Sequence, residues 1–397
     1  MNIGHARHCV SPQGKFYLIG FRSPNRMEPA SGIHDDIYAN SLLFEQDGRE
    51  LFLFSADVLE FEEAMADDVK TLMQDRYGID RDMVLLVATH DHSSTVGYHK
   101  SWYTGKFDQA YYDFFVDTIC RSYEECKANA QPATARIGRQ EILGFYGNRN
   151  HPGQPADNEV IVLTFFDAAG QPFAGIVNWA VHSTVIGAEN TWLTADWAGN
   201  VSKLLGDRWG FFPAMMVGAA GDCSNRNERQ GKDFAELARV SNGMAERIAA
   251  IPADHAVELG RIDCQTLIHT IHHFMPTENG DSELFHLDAR GQVVQLGELQ
   301  LLVFPGELGS RFGIQMKQAC TKDMLVYGYT NGYYEYFLPA DEYGVSFETA
   351  RCQIPKGEPE KLVDKFIQAS NLLSDVRMAS LDSDKAEAGE AVSQRRG

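Results

Sequence analysis

Short apolar runs alternate with amphipathic segments along most of this chain. Apolar residues recur on one face at helical spacing in residues 59–79, 108–130, 232–251 and 359–376, which predicts four helices. Short, nearly continuous apolar runs predict strands at 50–57, 83–89, 160–166, 173–181, 214–220, 299–304 and 324–329. The segment DAAGQP between the third and fourth of these runs predicts a hairpin turn. Buried strands that alternate with helices predict an α/β fold with a mixed β-sheet core flanked by helices.

The sequence contains no internal repeat and no linker composition within its main body. We therefore expect one large domain over residues 1–378. From about Ala379 the chain is small, polar and without apolar periodicity, so residues 379–397 are predicted to form a disordered tail.

Charge and composition narrow the class of protein. The net charge of −20 over 397 residues argues against nucleic-acid binding and against stable association with an anionic membrane surface. No apolar run approaches the roughly 18 residues of a membrane span, and the N-terminus does not resemble a signal peptide. Seven scattered cysteines without a CxxC pair favour a reducing, cytoplasmic location.

Several predicted strands end in residues that can bind a metal or take part in catalysis. His90 and His92 follow the strand at 83–89, and His182 follows the strand at 173–181. Ser224 lies in a Gly-Asp turn beyond 214–220, and Glu307 follows a Pro-Gly turn beyond 299–304. Ligands of covered sheets gather outside the carboxyl ends of strands, so these side chains are candidates for one site.

Two histidines and one glutamate match the ligand set of a catalytic zinc site, in which zinc lowers the pKa of bound water to about 7. Each residue also has a simpler interpretation. His90 and His92 could be surface histidines, and His182 a hydrogen-bonded core histidine. Glu307 could complement the dipole of a helix that begins there, and Ser224 could bond only to its local backbone. If the set assembles, it predicts hydrolysis.

Five motifs together resemble the neutral (non-lysosomal) ceramidase family. In chain order they are ATHDHSS (88–94), NWAVHST (178–184), GDCSN (221–225), FPGE (304–307) and GYTNGYYEYFLPADEY (328–343). They extend the resemblance over about residues 2 to 355. The resemblance implies a catalytic domain of the ceramidase type that hydrolyses amide bonds.

The resemblance also implies roles for individual residues. It implies that His90, His182, Glu307 and Tyr336 bind Zn²⁺, with Tyr333 as the alternative tyrosine. His92 would contact the scissile carbonyl and stabilise the oxyanion. Ser224 would lie beside the metal and orient water or substrate.

The chain departs from the family pattern at three places near these residues. Ser94-Thr95-Val96 replaces a Gly-Pro-Gly segment, and Asn225, followed by Arg226, replaces a proline. Phe347 stands where a second tyrosine of the site is expected. The loop beside the site therefore differs from the family pattern, and one hydroxyl donor is missing. With an acidic chain and no predicted signal peptide, membrane ceramide is not the substrate that we expect.

We therefore interpret the chain as a zinc-dependent amidohydrolase in which zinc-bound hydroxide attacks a linear N-acyl amide, in a small soluble substrate. An esterase or lactonase with the same zinc site is the alternative within this class, and a catalytically inactive zinc-binding protein is the alternative outside it.

For two further residues the sequence leaves two interpretations open. Arg226 could bind an anionic group of the substrate or could be an exposed arginine in a polar loop. Asp196 could orient a ligand histidine or could cap a helix that begins near Trp197.

Overall fold

The structure is a computed structural model that describes residues 1–276, 282–320, 323–350 and 352–374. The predicted tail at 379–397 lies outside the described residues. The strands of the described part, in chain order, are β1 (Asn2–Cys9), β2 (Gly32–Ile33), β3 (Tyr38–Gln46), β4 (Arg49–Ala56), β5 (Val84–Ala88), β6 (Gln131–Pro132), β7 (Thr134–Glu141), β8 (Gly147–Asn148), β9 (Glu159–Phe166), β10 (Pro172–Trp179), β11 (Trp192–Leu193), β12 (Ala214–Val217), β13 (Cys223–Ser224), β14 (His255–Val257), β15 (Ile262–Pro276), β16 (Ser282–Leu296), β17 (Leu299–Val303), β18 (Glu307–Leu308), β19 (Asp323–Tyr327) and β20 (Tyr336–Phe337).

Helices flank these strands. They are α1 (Glu63–Tyr77), α2 (Gln109–Asn129), α3 (Asp196–Trp209), α4 (Phe234–Ala249), α5 (Ser310–Ala319) and α6 (358–374). All four helices and all seven strands predicted from the apolar pattern are present, and β9 and β10 form the predicted antiparallel hairpin. The fold is therefore α/β, with mixed sheets and flanking helices, as predicted.

The start of α1 differs from the prediction. The apolar pattern placed it at Leu59, whereas the helix begins at Glu63. Residues before Glu63 are held in a non-helical conformation by contacts distant in sequence: the Leu59 carbonyl accepts a hydrogen bond from the His90 ring, and Glu60 pairs with His99. By contrast, α2 begins where its sequence indicates, because the Asp108 carboxylate accepts the N–H groups of Ala110 and Tyr111.

Three larger sheets share one feature of topology. Their strand orders are β5-β4-β3-β1-β6, β12-β10-β9-β7-β14 and β15-β16-β17-β19. Each contains one parallel pair, namely β4 with β5, β10 with β12, and β17 with β19, and the other pairings are antiparallel. In each sheet the parallel pair lies at an edge.

The three parallel pairs meet at their carboxyl ends. The Gly328 N–H donates to the Val217 carbonyl at 2.8 Å, which links the segments after β19 and β12. The Ala88 N–H donates to the Tyr329 carbonyl at 3.1 Å, which links β5 to the segment after β19. A continuous apolar core runs beneath this junction and includes Trp179 and Trp197, both fully buried. The core fixes the strand ends in place, and the candidate residues follow those ends.

Candidate metal centre

The histidines after β5 and β10 converge. The Nε2 atoms of His90 and His92 are 3.0 Å apart, and the ring centroids of His90 and His182 are 4.8 Å apart. All three residues can place a ligand atom within 4.8 Å of the others. His90 has a φ of 58°, so the backbone leaves the extended conformation of β5 and turns into the left-handed region at this residue. His90 and His182 are each 1 % exposed, so neither is a surface histidine.

Backbone carbonyls fix the orientation of two of these rings. His90 Nδ1 lies 2.9 Å from the Leu59 carbonyl, and His182 Nδ1 lies 2.7 Å from the Ala220 carbonyl. A carbonyl can only accept, so each Nδ1 carries the proton and each Nε2 is left with a free lone pair. Metal-binding histidines are held in this way.

Glu307 completes the group. Its Oε2 lies 2.9 Å from His182 Nε2 and 3.6 Å from His90 Nε2, and the side chain is 1 % exposed. The Tyr333 hydroxyl donates to the other carboxylate oxygen, and the Tyr329 hydroxyl lies 3.4 Å from Oε2. Glu307 belongs to β18, and α5 begins only at Ser310, so the prediction that Glu307 opens a helix is wrong. The Pro-Gly turn leads into a short strand because β18 pairs with β20.

The electrostatics of this group suit a cation. Burial lowers the pKa of His90 to about 3 and lowers those of His92 and His182 well below the usual value. The rings are therefore neutral, and the buried Nε2 of His182 has no hydrogen-bond partner among the described residues. Donors that share one tetrahedral zinc ion lie about 3.4 Å apart when the bonds are about 2.1 Å long. Glu307 Oε2 lies 2.9 Å from His182 Nε2 and 3.6 Å from His90 Nε2, which agrees with that spacing, so these three residues fit a zinc ion.

His92 lies closer to His90 than Glu307 does, since its Nε2 is 3.0 Å from His90 Nε2 and the Glu307 Oε2 is 3.6 Å away. The sequence prediction gave His92 a contact with substrate, and the structure places it within ligand distance of the other histidines. Two contacts hold His92 in position. Arg26 Nη2 donates a hydrogen bond to the His92 carbonyl at 3.2 Å, and the centroid of the Phe21 ring lies 4.9 Å from that of the imidazole.

Tyr336 lies on the strand paired with Glu307. The β18–β20 register places Tyr336 directly opposite Glu307, and both side chains line the same cavity. The Tyr336 hydroxyl accepts a hydrogen bond from Arg149 Nη2 at 3.3 Å. Burial raises the pKa of Tyr336 and Glu307 raises it further, whereas Arg149 lowers it. Tyr333, the alternative tyrosine, contacts Glu307 through its hydroxyl.

Arg149 and Glu348 are functional candidates that the sequence analysis missed. Arg149 Nε lies 2.7 Å from Glu348 Oε1, and both side chains are almost fully buried. The arginine also donates to the Gly221 carbonyl at 2.8 Å, which fixes the turn before Ser224. Arg149 lies in a polar run outside any predicted element and Glu348 is 199 residues away, so no spacing in the sequence connected them.

Ser224 lies in β13 and is 4 % exposed at the wall of the same cavity. Its Oγ accepts the N–H of Arg226 at 3.2 Å, so the local backbone bond suggested as the simpler interpretation is present. Neighbouring Asp222 accepts the Ser310 N–H at 2.8 Å and thereby ties this turn to the start of α5. Ser224 is therefore held rigidly beside the histidines.

Asp196 performs neither of the two roles weighed for it. Its carboxylate accepts the N–H groups of Val185 and Ile186 at 3.1 and 3.2 Å, and Ala195 takes the N-cap position without a side-chain cap. The His182 ring bonds to backbone carbonyls instead. Asp196 thus fixes the loop after His182, because that buried loop has N–H groups that require acceptors.

The histidines open into a cavity of about 820 Å³. Its lining includes Arg149, Ser224, Arg226 and Tyr336 in addition to the residues around Glu307. Phe347 also lines it, and the guanidinium carbons of Arg149 and Arg226 lie 5.2 and 5.4 Å from its ring centroid. The volume is within the range of small-molecule sites.

Gly20 supports the position of His92. Its φ is +100°, and an added Cβ would lie 2.4 Å from His92 Cα. We expect Gly20→Ala to displace His92 and to lower hydrolytic turnover about 10²-fold, in addition to a loss of roughly 1–2 kcal/mol in unfolding free energy for the left-handed backbone. Gly14→Ala is the matched control, because Gly14 has a φ of +71° and an added Cβ there would meet no described atom within 4 Å. Equal effects of both substitutions on turnover would contradict the role given to Gly20.

Comparison with known proteins identifies relatives of this chain. The family model described as neutral/alkaline non-lysosomal ceramidase, N-terminal, matches residues 3–210. The neutral ceramidase of Pseudomonas aeruginosa is 29% identical over 233 residues, which cover 51% of this chain and 34% of that protein. Neutral ceramidase B of Dictyostelium discoideum is 27% identical over 208 residues, which cover 47% and 29%. The match spans about a third of the length of these relatives.

The fold agrees with these relatives. The crystal structure of the Pseudomonas aeruginosa neutral ceramidase superimposes with a TM-score of 0.79 at 20% identity, covering 92% of this chain and 73% of that one. Among the helices described here, none combines the length and apolar character of a membrane span. Since the family model matches just over half of the sequence, this chain belongs to the neutral/alkaline non-lysosomal ceramidase family.

Proposed function

We propose that this chain is a zinc-dependent amidohydrolase that cleaves an N-acyl amide bond. The observation that carries the proposal is the meeting of neutral, buried imidazole nitrogens and the Glu307 carboxylate at the wall of one cavity. Relatives named neutral ceramidases support the amide as the bond that is cleaved. A small soluble substrate fits a cavity of about 820 Å³.

His90, His182, Glu307 and Tyr336 are the residues that would hold the zinc ion. When bound, zinc supplies Lewis-acid chemistry, which activates water at neutral pH and polarises a carbonyl. The protein contributes the preset orientation of its donors. Leu59 and Ala220 fix the two histidine rings, and Tyr333 fixes the glutamate.

Other side chains would act directly on the substrate. His92 would donate a hydrogen bond to the carbonyl oxygen, where negative charge develops during attack. Ser224 would position the reacting groups from the opposite wall. The Arg149 guanidinium lies behind Tyr336 and keeps its hydroxyl in place.

The location proposed is the cytoplasm. All seven cysteines are free thiols in the structure, which agrees with a reducing compartment.

The experiment compares a matched amide and ester, octanoyl-p-nitroanilide and p-nitrophenyl octanoate, with zinc-loaded protein. We expect turnover of the anilide that disappears in His182→Ala and persists in His269→Ala. His269 is a suitable control because it is also buried beside a carboxylate, Glu358, but lies outside the metal centre. Turnover of the ester alone would indicate an esterase, and turnover of neither would indicate a zinc-binding protein without catalysis.

A further inference from the structure

One loop brings positive charge to the cavity of the metal centre. Residues 225–233 connect β13 to α4, and Arg226, Arg229 and Lys232 from this loop all line the cavity. The loop follows directly after Ser224, so its cations lie next to the proposed catalytic residues. It is also the place where Asn225-Arg226 departs from the family pattern.

Burial lowers the pKa of Arg229, and the nearby carboxylates of Asp196, Glu189 and Glu236 oppose this shift without forming an ion pair in the described part of the chain. Within the described part of the chain, Arg226, Arg229 and Lys232 form no ion pair, in contrast to Arg149, which is paired with Glu348. Glu189 also lines the cavity, and within the described residues no ion pair joins it to any of the three.

The electrostatic surroundings of Arg226 show the same imbalance. Burial lowers the pKa of Arg226, and the nearby charges of Arg149 and Arg229 lower it further, while Glu348 and Tyr336 oppose them. The guanidinium groups are thus close enough to repel one another. In a protein with a net charge of −20, such a concentration of positive charge at a cavity favours an anionic ligand.

Aromatic and aliphatic residues line other parts of the same cavity, among them Phe21, Leu59, Trp102 and Ile186. The Arg226 guanidinium is held over the ring of Phe347 at 5.4 Å, which restricts a long side chain that would otherwise be mobile. The cavity therefore offers both apolar and positively charged lining residues to a ligand.

We propose that the substrates are N-acyl compounds whose amine part carries an anionic group, such as the carboxylate of an N-acyl amino acid. Arg226 and Arg229 would bind that group, since guanidinium groups form paired, charge-assisted hydrogen bonds with carboxylates. The apolar lining would take the acyl chain. This inference rests on the proposed amidohydrolase function and specifies its substrate class.

Binding is tested first, since it does not depend on turnover. Titration calorimetry would compare N-octanoylglycine with its neutral analogue N-octanoylglycinamide on the zinc-loaded protein. We expect the carboxylate to bind about tenfold or more tightly, the range for charge-assisted hydrogen bonds. Equal affinities, or no saturable binding of N-octanoylglycine, would overturn the proposal.

Variants separate the arginines from the metal as the source of the preference. The double variant Arg226→Gln/Arg229→Gln should abolish the preference, whereas Arg247→Gln, which removes an exposed charge on α4 away from the cavity, should retain it. A preference that survives in the double variant would show that the metal alone binds the carboxylate, and would overturn the assignment.

Hydrolysis of the same two compounds then distinguishes a failure of the proposed substrate class from a failure of the proposed amidohydrolase reaction. Turnover of both at equal kcat/KM would retain the amidohydrolase and reject the anionic substrate class. Selective binding with no release of glycine would retain the anion site and reject the proposed reaction.

Discussion

Protein purified without added metal is expected to contain about one zinc ion per chain, and His90→Ala and His182→Ala are expected to contain none. Each substitution removes a buried imidazole whose ring orientation is fixed by a backbone carbonyl. Loss of the metal should lower amide hydrolysis by on the order of 10³-fold or more, since metal assistance is worth several kcal/mol. Elemental analysis and steady-state kinetics on the same preparations measure both effects.

Thermal stability provides a second measurement of the same centre. A ligand that binds only the native state stabilises it by about 4 kcal/mol at a concentration a thousand times its Kd. A chelator should therefore lower the Tm of the parent protein and leave that of His182→Ala unchanged. His269→Ala should keep its zinc and its response to chelator. Zinc retained in His182→Ala, or no transition metal in the parent, would refute the proposed centre.

Separating Arg149 from Glu348 should have the second large effect. Arg149→Met leaves the Glu348 carboxylate, which is 0 % exposed, without its cation, and Glu348→Gln leaves the arginine buried without its anion. Removal of one partner of a buried pair costs about 3–5 kcal/mol. Arg149→Met should also lower turnover, because Tyr336 and the Gly221 turn lose the donor that positions them.

A double-mutant cycle tests whether these losses arise from the pair. We expect Arg149→Met/Glu348→Gln to cost less than the sum of the single substitutions, by about 0.5–3 kcal/mol. The surface pair Arg76–Glu124, about half exposed on both sides, is the control and should show a coupling of about 1 kcal/mol or less. Denaturant unfolding supplies all of these values. If the losses in unfolding free energy for Arg149→Met and Glu348→Gln were strictly additive, they would not arise from the ion pair.

The apolar pattern predicted much of this fold because the burial of a strand or helix shows in the apolar residues of that segment alone. Continuous apolar runs such as residues 83–89 can be stable only as covered strands, and β5 is buried along its whole length. Strands of mixed character were missed. The β15–β16 hairpin alternates polar and apolar residues over two strands of 15 residues, and β1 begins at the second residue with charged and polar positions among its apolar ones.

The candidate site also contains residues that the sequence pointed to and residues that it did not. The histidines, Ser224 and Glu307 were found because each follows a strand in sequence, and position after a strand is a local property. Arg149 and Glu348 were missed because they belong to no predicted element and become partners only through the folded chain. The interpretation of Asp196 as a cap was wrong for a related reason: its partners, Val185 and Ile186, lie in a loop brought back against α3 by tertiary packing.

The sequence by itself determined the α/β class, most of the buried strands and the candidate residues that follow those strands, because apolar periodicity and side-chain chemistry are properties of short segments. The tertiary structure decided that three parallel pairs meet at their carboxyl ends, that the histidine rings converge, and that a positive loop borders the cavity. These features depend on distances between segments up to several hundred residues apart. Such distances are set by packing over the whole core, which no local pattern contains.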